Sequence, residues 1–297
     1  MQNKFYGFFI LSSVATGMLL AGLRAFDVDF SGMLGRLFFR QAAAGEHMTV
    51  RHPPESWFWS HDIDPEHIDD VMMPGFCLVR LSSYGAGSRR RFAAVAFKAP
   101  GPERSYVTDL DAAAADAYLR QNDVRLVAIT AGIDDSQPRF SLLVEKGPGP
   151  RTRLHTDLDE AGVQKLLDGR HGIVDFVTYR VAGVRKYAVI LEERPEPSWF
   201  FTQVTARDLD AKLAALDATL LRSRAYVAEG GQRWFAAVAE RSNVGKRAWW
   251  YSDIDGDTVA KHLERNNAYP IDLDATQDER GVRFTVVMYE AKALENE

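Results

Sequence analysis

The first candidate for chemistry is an acidic segment near the end of the chain. Asp253, Asp255 and Asp257 alternate along it, and Glu264 follows at the twelfth position of the same segment. Alternating carboxylates followed by a glutamate at this distance are typical of a calcium-binding loop. The sixth position, which requires the permissive backbone of glycine, is Thr258. We therefore expect a helix start here, with calcium as the alternative, and no metal or other cofactor is predicted.

A cluster near residue 61 allows the same two interpretations. His61, Asp62, Asp64 and His67 are residue types that could hold a metal. Asp64, however, stands directly before Pro65, and this is the position of a helix N-cap, because the cap accepts backbone N–H groups and proline suits the first helical position. The cluster is interpreted as the start of a surface helix, with no catalytic residue.

The same residue pattern occurs five times, which explains why acids recur. In each copy an apolar residue stands three positions before an acid, and a capping residue follows two positions after it. The acidic positions, 46 to 50 residues apart, are Asp62, Asp109, Asp157, Gln203 (the exception) and Asp253. The capping positions are Asp64, Asp111, Asp159, Thr205 and Asp255. A fixed period of this length indicates a tandem array whose units bury their apolar faces against each other.

Each copy predicts the same succession of elements. A short extended segment precedes a helix, in which apolar pairs at i and i+4, such as Ile68 and Met72, share one face. A β-hairpin follows, and its second strand carries an aromatic residue. These aromatic residues are Phe92, Phe140, Tyr187, Phe235 and Phe284. The predicted fold class is α+β, with five tandem β-α-β-β repeats that form a solenoid, a saddle or a propeller-like array.

The pattern aromatic-x-Thr-Asp-Leu-Asp, helix and hairpin resembles the bacterial tandem repeat domain, and residues 106–111 match it most directly. That repeat also occurs beside β-lactamase-like serine hydrolases such as polyglycine hydrolases, in which the separate hydrolase domain performs the chemistry. The resemblance covers residues 55–292. The chain contains no Ser-x-x-Lys motif that could supply such a nucleophile. The resemblance therefore implies the repeat fold without an enzymatic activity.

The N-terminal segment is predicted to be a single transmembrane helix. Residues 5–23 carry no charged side chain, and 19 helical residues span about 28 Å, which matches the hydrocarbon thickness of a bilayer. Ser13, Gly17 and Ala21 form a small-residue stripe that lets another helix approach closely. A cleaved signal peptide is the alternative, although the nearest Ala-x-Ala site lies beyond residue 40.

A second apolar stripe follows the predicted span. Its members, at helical spacing, are Phe30, Met33, Leu34, Leu37 and Phe38. We expect an amphipathic helix that lies in the headgroup layer or docks on a partner, with packing beneath the first repeat as the alternative. The predicted organisation is an anchor (1–24), an amphipathic connector (25–54), five repeats (55–100, 101–148, 149–195, 196–243 and 244–292) and a tail (293–297).

Composition narrows the functional classes. A net charge of −5 gives no support for nucleic-acid binding, which needs a concentrated basic surface. The single cysteine, Cys77, cannot form an internal disulfide and is predicted to be a buried apolar side chain. Trp57, Trp199 and Trp249 lie in unusually aromatic segments and are candidates for partner contact, with packing between repeats as the alternative.

These observations predict a non-catalytic, membrane-anchored repeat protein that acts as a scaffold or accessory subunit of a larger membrane protein complex, such as a photosynthetic or respiratory assembly. The expected partners are the lipid bilayer and other membrane protein subunits. We expect the repeats on the periplasmic or extracellular side, although basic residues flank the span on both sides and leave its orientation open. The alternative is an exported module that binds peptide, cell-wall or carbohydrate ligands.

Overall fold

Five small sheets of identical topology follow one another along the chain. A computed structural model describes residues 5–8, 53–99, 101–134, 137–147, 149–193, 198–228, 231–241 and 247–291. Each repeat supplies three antiparallel strands in the order first, third, second, so the third strand lies in the centre of its sheet. The tandem array is therefore confirmed, in a protein that is mostly β.

The strands have the following bounds. Before the repeats comes β1 (Phe5–Phe8). The first strands of the repeats are β2 (Ser56–Ile63), β5 (Arg104–Leu110), β8 (Thr152–Leu158), β11 (Ser198–Val204) and β14 (Ala248–Ile254). The second strands are β3 (Cys77–Tyr84), β6 (Arg125–Asp134), β9 (His171–Val181), β12 (Ala218–Val227) and β15 (Ala268–Asp278). The third strands are β4 (Arg91–Lys98), β7 (Gln137–Glu145), β10 (Val184–Glu193), β13 (Arg233–Arg241) and β16 (Gly281–Glu290).

Repeats 2 to 5 contain a helix between their first and second strands. The helices are α1 (Ala112–Gln121), α2 (Glu160–Leu166), α3 (Ala206–Leu216) and α4 (Gly256–Arg265). Each begins at the predicted residue, because the cap side chain accepts a hydrogen bond from the backbone N–H three residues later. The four caps that make this bond are Asp111, Asp159, Thr205 and Asp255.

Repeat 1 departs from the predicted helix. Two short 3-10 turns, Pro65–His67 and Asp69–Val71, take its place, and Asp64 makes no side-chain cap bond within the described residues. Ile68 and Val71 are the buried side chains of this segment. Their i, i+3 spacing places them on one face of a 3-10 helix, in which such residues eclipse. Met72 of the expected i, i+4 pair is half-buried and packs against the same core cluster as Ile68.

The second strands form the inner wall of a closed ring. Each of these strands is hydrogen bonded to the next one around the ring, mostly from a backbone N–H to a side chain. The contacts are Ser83 N to Thr130 Oγ1, Ile129 N to Asp175 Oδ2, Arg224 Nε to Phe176 O, Ser223 N to Asp272 Oδ2 and Ala275 N to Ser82 Oγ, at 2.8 to 3.0 Å. The last contact joins residues 193 positions apart and closes the ring between repeats 5 and 1.

The recurring aromatic residues pack between repeats. At three interfaces the hairpin aromatic of one repeat meets the first-strand aromatic of the next in an edge-to-face arrangement, which is a favourable geometry for aromatic pairs. The ring centroids of Tyr187 and Phe200 are 5.4 Å apart, and those of Phe235 and Trp250 are 5.5 Å apart. Phe284 of repeat 5 makes the equivalent contact with Trp59 of repeat 1 at 5.6 Å. The aromatic residues that recur in the sequence therefore recur in the contacts between repeats.

The N-terminal predictions fall mostly outside the described residues. Phe5–Phe8 form a strand that pairs with β2, so the predicted helix does not begin at Phe5 here. Residues 9–23, including Ser13, Gly17 and Ala21, lie outside the described residues, as do the connector residues Phe30, Leu34, Leu37 and Phe38. Among the helices that the structure describes, none combines the length and apolarity needed to cross a membrane.

Candidate functional site

The largest concentration of buried charge lies on the ring axis. Each second strand contains a β-bulge, and the residue after the bulge occupies the same place in every repeat. These equivalent residues are Arg80, Ala128, Asp175, Arg222 and Asp272. Arg224 and Asp274 stand two positions further along their strands. We call the six charged residues Arg80, Asp175, Arg222, Arg224, Asp272 and Asp274 the axial cluster, and none of their side chains is more than 12% exposed.

Asp175 is the centre of the axial cluster. One of its oxygens, Oδ2, accepts from Arg80 Nη1 at 2.9 Å and from the Ile129 N–H at 2.9 Å. The other, Oδ1, accepts from Arg224 Nη2 at 2.7 Å and lies 3.7 Å from Arg222 Nε. Asp175 of repeat 3 therefore contacts side chains of repeats 1 and 4 and the backbone of repeat 2.

Asp272 makes the corresponding contacts on the opposite side of the axis. Its Oδ2 accepts from Arg224 Nη1 at 2.7 Å and from the Ser223 N–H at 3.0 Å, while its Oδ1 lies 3.3 Å from Arg80 Nε. Arg80 and Arg222 also donate to the carbonyl oxygen of Ile271, at 3.4 and 3.3 Å. Ile271 is the bulged residue of β15, and bulged residues leave backbone groups outside the strand ladder.

Burial determines the protonation of the axial cluster. Burial raises the pKa of the Asp274 carboxyl to about 7, against the opposing attraction of Arg224. Burial alone would lower the pKa of Arg224, but Asp272, Asp175 and Asp274 reverse this and raise it, so this guanidinium stays charged. Burial also raises the pKa of the Asp175 carboxyl, against the attraction of Arg80 and Arg224. The cluster therefore combines buried guanidinium groups with carboxyls whose pKa values are raised by burial.

This cluster was not among the predicted sites. Arg80 and Asp175 each lie between apolar residues in their own strands, and no motif within one repeat marks them. The available signal was positional, since charged residues occupy the same place in four of the five second strands, within otherwise apolar segments. A charge in such a strand is buried, and buried charges need partners.

The recurring acids lie at a bulge near the end of each first strand, two residues before the capping position. All five have a left-handed backbone, with φ between 52° and 68°, which Asp tolerates better than most residues. We call them the corner residues: Asp62, Asp109, Asp157, Gln203 and Asp253.

In repeats 1, 3 and 4 a tyrosine at the end of the second strand holds the corner. Its hydroxyl accepts the corner N–H in each case. The pairs are Tyr84 with Asp62 at 2.8 Å, Tyr179 with Asp157 at 2.9 Å and Tyr226 with Gln203 at 3.1 Å. The corner therefore ties the first strand to the second strand of its own sheet.

In repeats 2 and 5 arginines contact the corner carboxylate instead. The places of the tyrosines are taken by Gly132 and Thr276. Arg90 of repeat 1 donates to Asp109 at 3.0 Å. The Asp253 carboxylate accepts a hydrogen bond from Arg280 of its own repeat at 2.8 Å. It also forms an ion pair with Arg233 of repeat 4 at 2.9 Å. These two corners therefore add ion pairs between neighbouring repeats.

The aspartates of the candidate calcium site have two different structural roles. Asp253 is bound by arginines, and Asp255 accepts the Thr258 N–H at 2.8 Å as the cap of α4. Within the described residues, no three His, Cys, Asp or Glu side chains gather to hold a metal, and this applies to Asp253, Asp255, Asp257 and Glu264. Hydrogen bonds from Thr258 also lower the pKa of Asp255, as expected for a cap.

The two histidines of repeat 1 make contacts in different parts of the structure. His61 stacks on Trp59 with ring centroids 5.6 Å apart and contacts Phe284 of repeat 5. His67 instead pairs with Asp70 at 2.7 Å on the surface. His61 therefore contributes to the closing interface, and His67 belongs to the first 3-10 turn.

The three candidate tryptophans differ in exposure. Trp57 is 8% exposed and belongs to the core, so its side chain is unavailable to a partner. Trp199 and Trp249 are half-buried and hold the same place in repeats 4 and 5. Repeats 2 and 3 carry the exposed residues Ser105 and Arg153 at that place.

A second buried ion network joins repeats 2 and 3 at the strand ends opposite the hairpin turns. Glu145 pairs with Arg104 at 2.9 Å and also with Arg125, and Arg125 reaches Glu192 of repeat 3 at 3.5 Å. Cys77 is half-buried near this network, and burial raises the pKa of its thiol. The thiol is therefore protonated at neutral pH and is a weak nucleophile.

No protein-family model matches the sequence, and no curated protein matches it. The resemblance to the bacterial tandem repeat domain stays a prediction.

Proposed function

We propose that this chain is a non-catalytic, membrane-tethered ring that acts as a scaffold or accessory subunit of a larger membrane protein complex. The proposal rests on the structural roles of the acidic residues that recur in the repeats. Corner residues fix turns, cap residues start helices, and the axial aspartates neutralise buried arginines. Side chains with these roles hold a fold together, and removing one partner of a buried pair is costly.

The membrane part of the proposal rests on the sequence. A helix from residue 9 to residue 23 would measure about 22 Å, which is short of the hydrocarbon core. The span therefore needs residues 5–8, and we expect β1 to leave β2 when the helix inserts. This exchange would free the outer edge of β2 for a strand from a partner.

The topology gives the ring a suitable contact surface. First strands lie at the sheet edge opposite the axis, and among the described residues β5, β8, β11 and β14 pair on one side only. Such edges present backbone donors and acceptors to which a partner can add a strand. A rim of this kind supports a scaffolding role.

The test is isolation of the tagged full-length protein from its native membrane in mild detergent, followed by native mass spectrometry. We expect co-purifying membrane subunits. Gly17→Leu, which adds bulk to the small-residue stripe, should reduce their recovery, whereas Leu19→Phe on another helix face should not. A monomeric protein without partners would contradict the proposal.

A second candidate is an exported module that binds peptide, cell-wall or carbohydrate ligands. The half-buried Trp199 and Trp249, at one place in adjacent repeats, favour it. If it is correct, the mature chain starts near residue 25 or 45, and Trp199→Ala with Trp249→Ala abolishes retention on peptidoglycan, peptide or polysaccharide resins. Arg153→Ala, at the same place in repeat 3, is the matched control and should retain binding.

A further inference from the structure

The axial cluster contains buried donors that the ring itself does not satisfy. All three nitrogens of Arg224 donate hydrogen bonds, to Phe176 O, Asp272 and Asp175. By contrast, Arg80 Nη2 and Arg222 Nε have no hydrogen-bond partner among the described residues, and neither does one acceptor, Asp272 Oδ1, which lies 3.3 Å from Arg80 Nε. The 3.7 Å from Arg222 Nε to Asp175 exceeds hydrogen-bonding distance. Arg80 is 2% exposed and Arg222 is 4% exposed, so bulk water does not reach these donors.

The charges of the cluster do not balance at its centre. Three arginines, Arg80, Arg222 and Arg224, face the two deeply buried carboxylates Asp175 and Asp272. Asp274 is the third acid and lies at the margin, 4.0 Å from Arg224 Nε. With Asp274 protonated and the other two carboxyls ionised, the six side chains carry one net positive charge, and an uncompensated buried charge is strongly unfavourable.

Repeat 2 supplies no charged side chain at this level. Its equivalent residue is Ala128, which is buried beside Leu78, Leu81 and Leu143. Its contact with the cluster is the backbone N–H of Ile129, which donates to Asp175. Arg80 extends past repeat 2 to reach Asp175 of repeat 3. Ala128 therefore supplies no side-chain acceptor for the two donors.

We propose that the ring axis binds one small monovalent anion of the halide class, held by Arg80 Nη2 and Arg222 Nε. Such an ion supplies the acceptor that both donors lack and cancels the excess positive charge. A neutral water would satisfy hydrogen bonds but leave the charge. Because the site is enclosed, the ion is taken up as the ring closes, and anion binding stabilises the folded state alone.

The titration of Asp274 makes this binding dependent on pH. The charged groups that face Asp274 are Arg224 of β12, Asp175 of β9 and Asp272 of its own strand, with Arg80 of β3 next to both aspartates. Burial raises the pKa of Asp274 to about 7. Anion uptake is therefore favoured below this pH, where the acid is neutral, and weakened above it.

The test is unfolding of the full-length protein in detergent at pH 6, with chloride exchanged for gluconate at constant ionic strength. Gluconate is too large for an enclosed site. Above the dissociation constant, the unfolding equilibrium constant should fall about tenfold for each tenfold rise in chloride. At pH 8.5 the dependence should be weaker. Stability that is indifferent to the anion would overturn the proposal.

Variants and bromide locate the site. Arg222→Lys keeps the charge but lacks the Nε donor, so it should fold and lose the chloride dependence. Arg185→Met, at an arginine that stacks on Tyr226, is the matched control and should keep it. Crystals grown in bromide should show an anomalous peak beside Arg80 and Arg222. A peak of water-like density without anomalous signal there would contradict the proposal.

Discussion

The corner residues and the residues that follow the bulges both occupy equivalent places in all five repeats, yet they are used differently. Every corner has the same left-handed backbone, whether the residue is Asp or Gln. At the axis the equivalent residues are Arg80, Ala128, Asp175, Arg222 and Asp272, and their charges are complementary between repeats. A corner needs the same backbone shape in each copy, whereas a ring contact needs unlike partners. The residues that are alike in every repeat therefore set the fold of one repeat. The residues that differ between repeats make the contacts that close the ring.

The largest expected difference in stability is between one substitution at the axis and the same substitution at a corner. Asp175→Asn leaves three buried arginines with one close carboxylate and should cost about 3–5 kcal/mol of unfolding free energy. Asp157→Asn at a corner keeps a residue that tolerates the left-handed backbone and should cost less than about 0.5 kcal/mol. Urea unfolding measures both. Equal losses at the two sites would remove the distinction.

The pH dependence of stability sharpens the account of the axis. Folded Asp274 holds its proton up to about pH 7, whereas in the unfolded chain it loses the proton near its ordinary pKa of 3.8. Its contribution to stability therefore falls as the pH rises from about 4 to about 7 and is constant above that. Asp274→Asn should flatten this part of the curve and gain roughly 2 kcal/mol at pH 8. Parallel curves for the two proteins would argue against a buried protonated acid.

The corner geometry can be tested at its exceptional residue. Gln203→Val places a β-branched side chain at φ 52° and should cost about 1–2 kcal/mol. Gln203→Gly accepts this backbone freely and should be nearly neutral. Thermal unfolding of the two variants gives the comparison. A valine variant as stable as the glycine variant would mean that the corner is not left-handed in solution.

A smaller effect distinguishes repeat 1 from the helical repeats. Asp159→Ala removes the cap of α2 and should cost about 1 kcal/mol. Asp64→Ala should cost roughly half of that or less, because Asp64 makes a half-exposed ion pair with Arg91 rather than a cap bond. Denaturant midpoints for the two variants decide the order. The reverse order would indicate a true helix in repeat 1.

The repeat number, the helix starts and the hairpins were predictable because each depends on signals within one copy. Asp111 and Thr205 cap helices through local hydrogen bonds, and such bonds leave a fixed pattern in the sequence. An α-helix was predicted in repeat 1 because Pro65 and Asp64 suit the start of an α-helix and of a 3-10 turn equally. The full burial of Val71, beside a half-buried Met72, matches the 3-10 turn.

The closure and the axial cluster were not predictable in the same way. Arg80 contacts Asp175 and Asp272, which lie 95 and 192 positions away, and no local pattern encodes which repeats meet. An array of five units is equally consistent with a saddle until its first and last members touch. The contact between Ala275 and Ser82 decides the matter.

The most direct test of the closed ring is a double-mutant cycle across its closing interface. Arg80→Met and Asp272→Asn alter partners that lie in repeats 1 and 5, 3.3 Å apart. We predict a coupling energy of at least about 1 kcal/mol between them in equilibrium unfolding. Arg80→Met combined with Asp111→Ala, a cap outside the cluster, should be additive within about 0.5 kcal/mol. Additivity in both pairs would mean that repeats 1 and 5 do not meet and would contradict the ring.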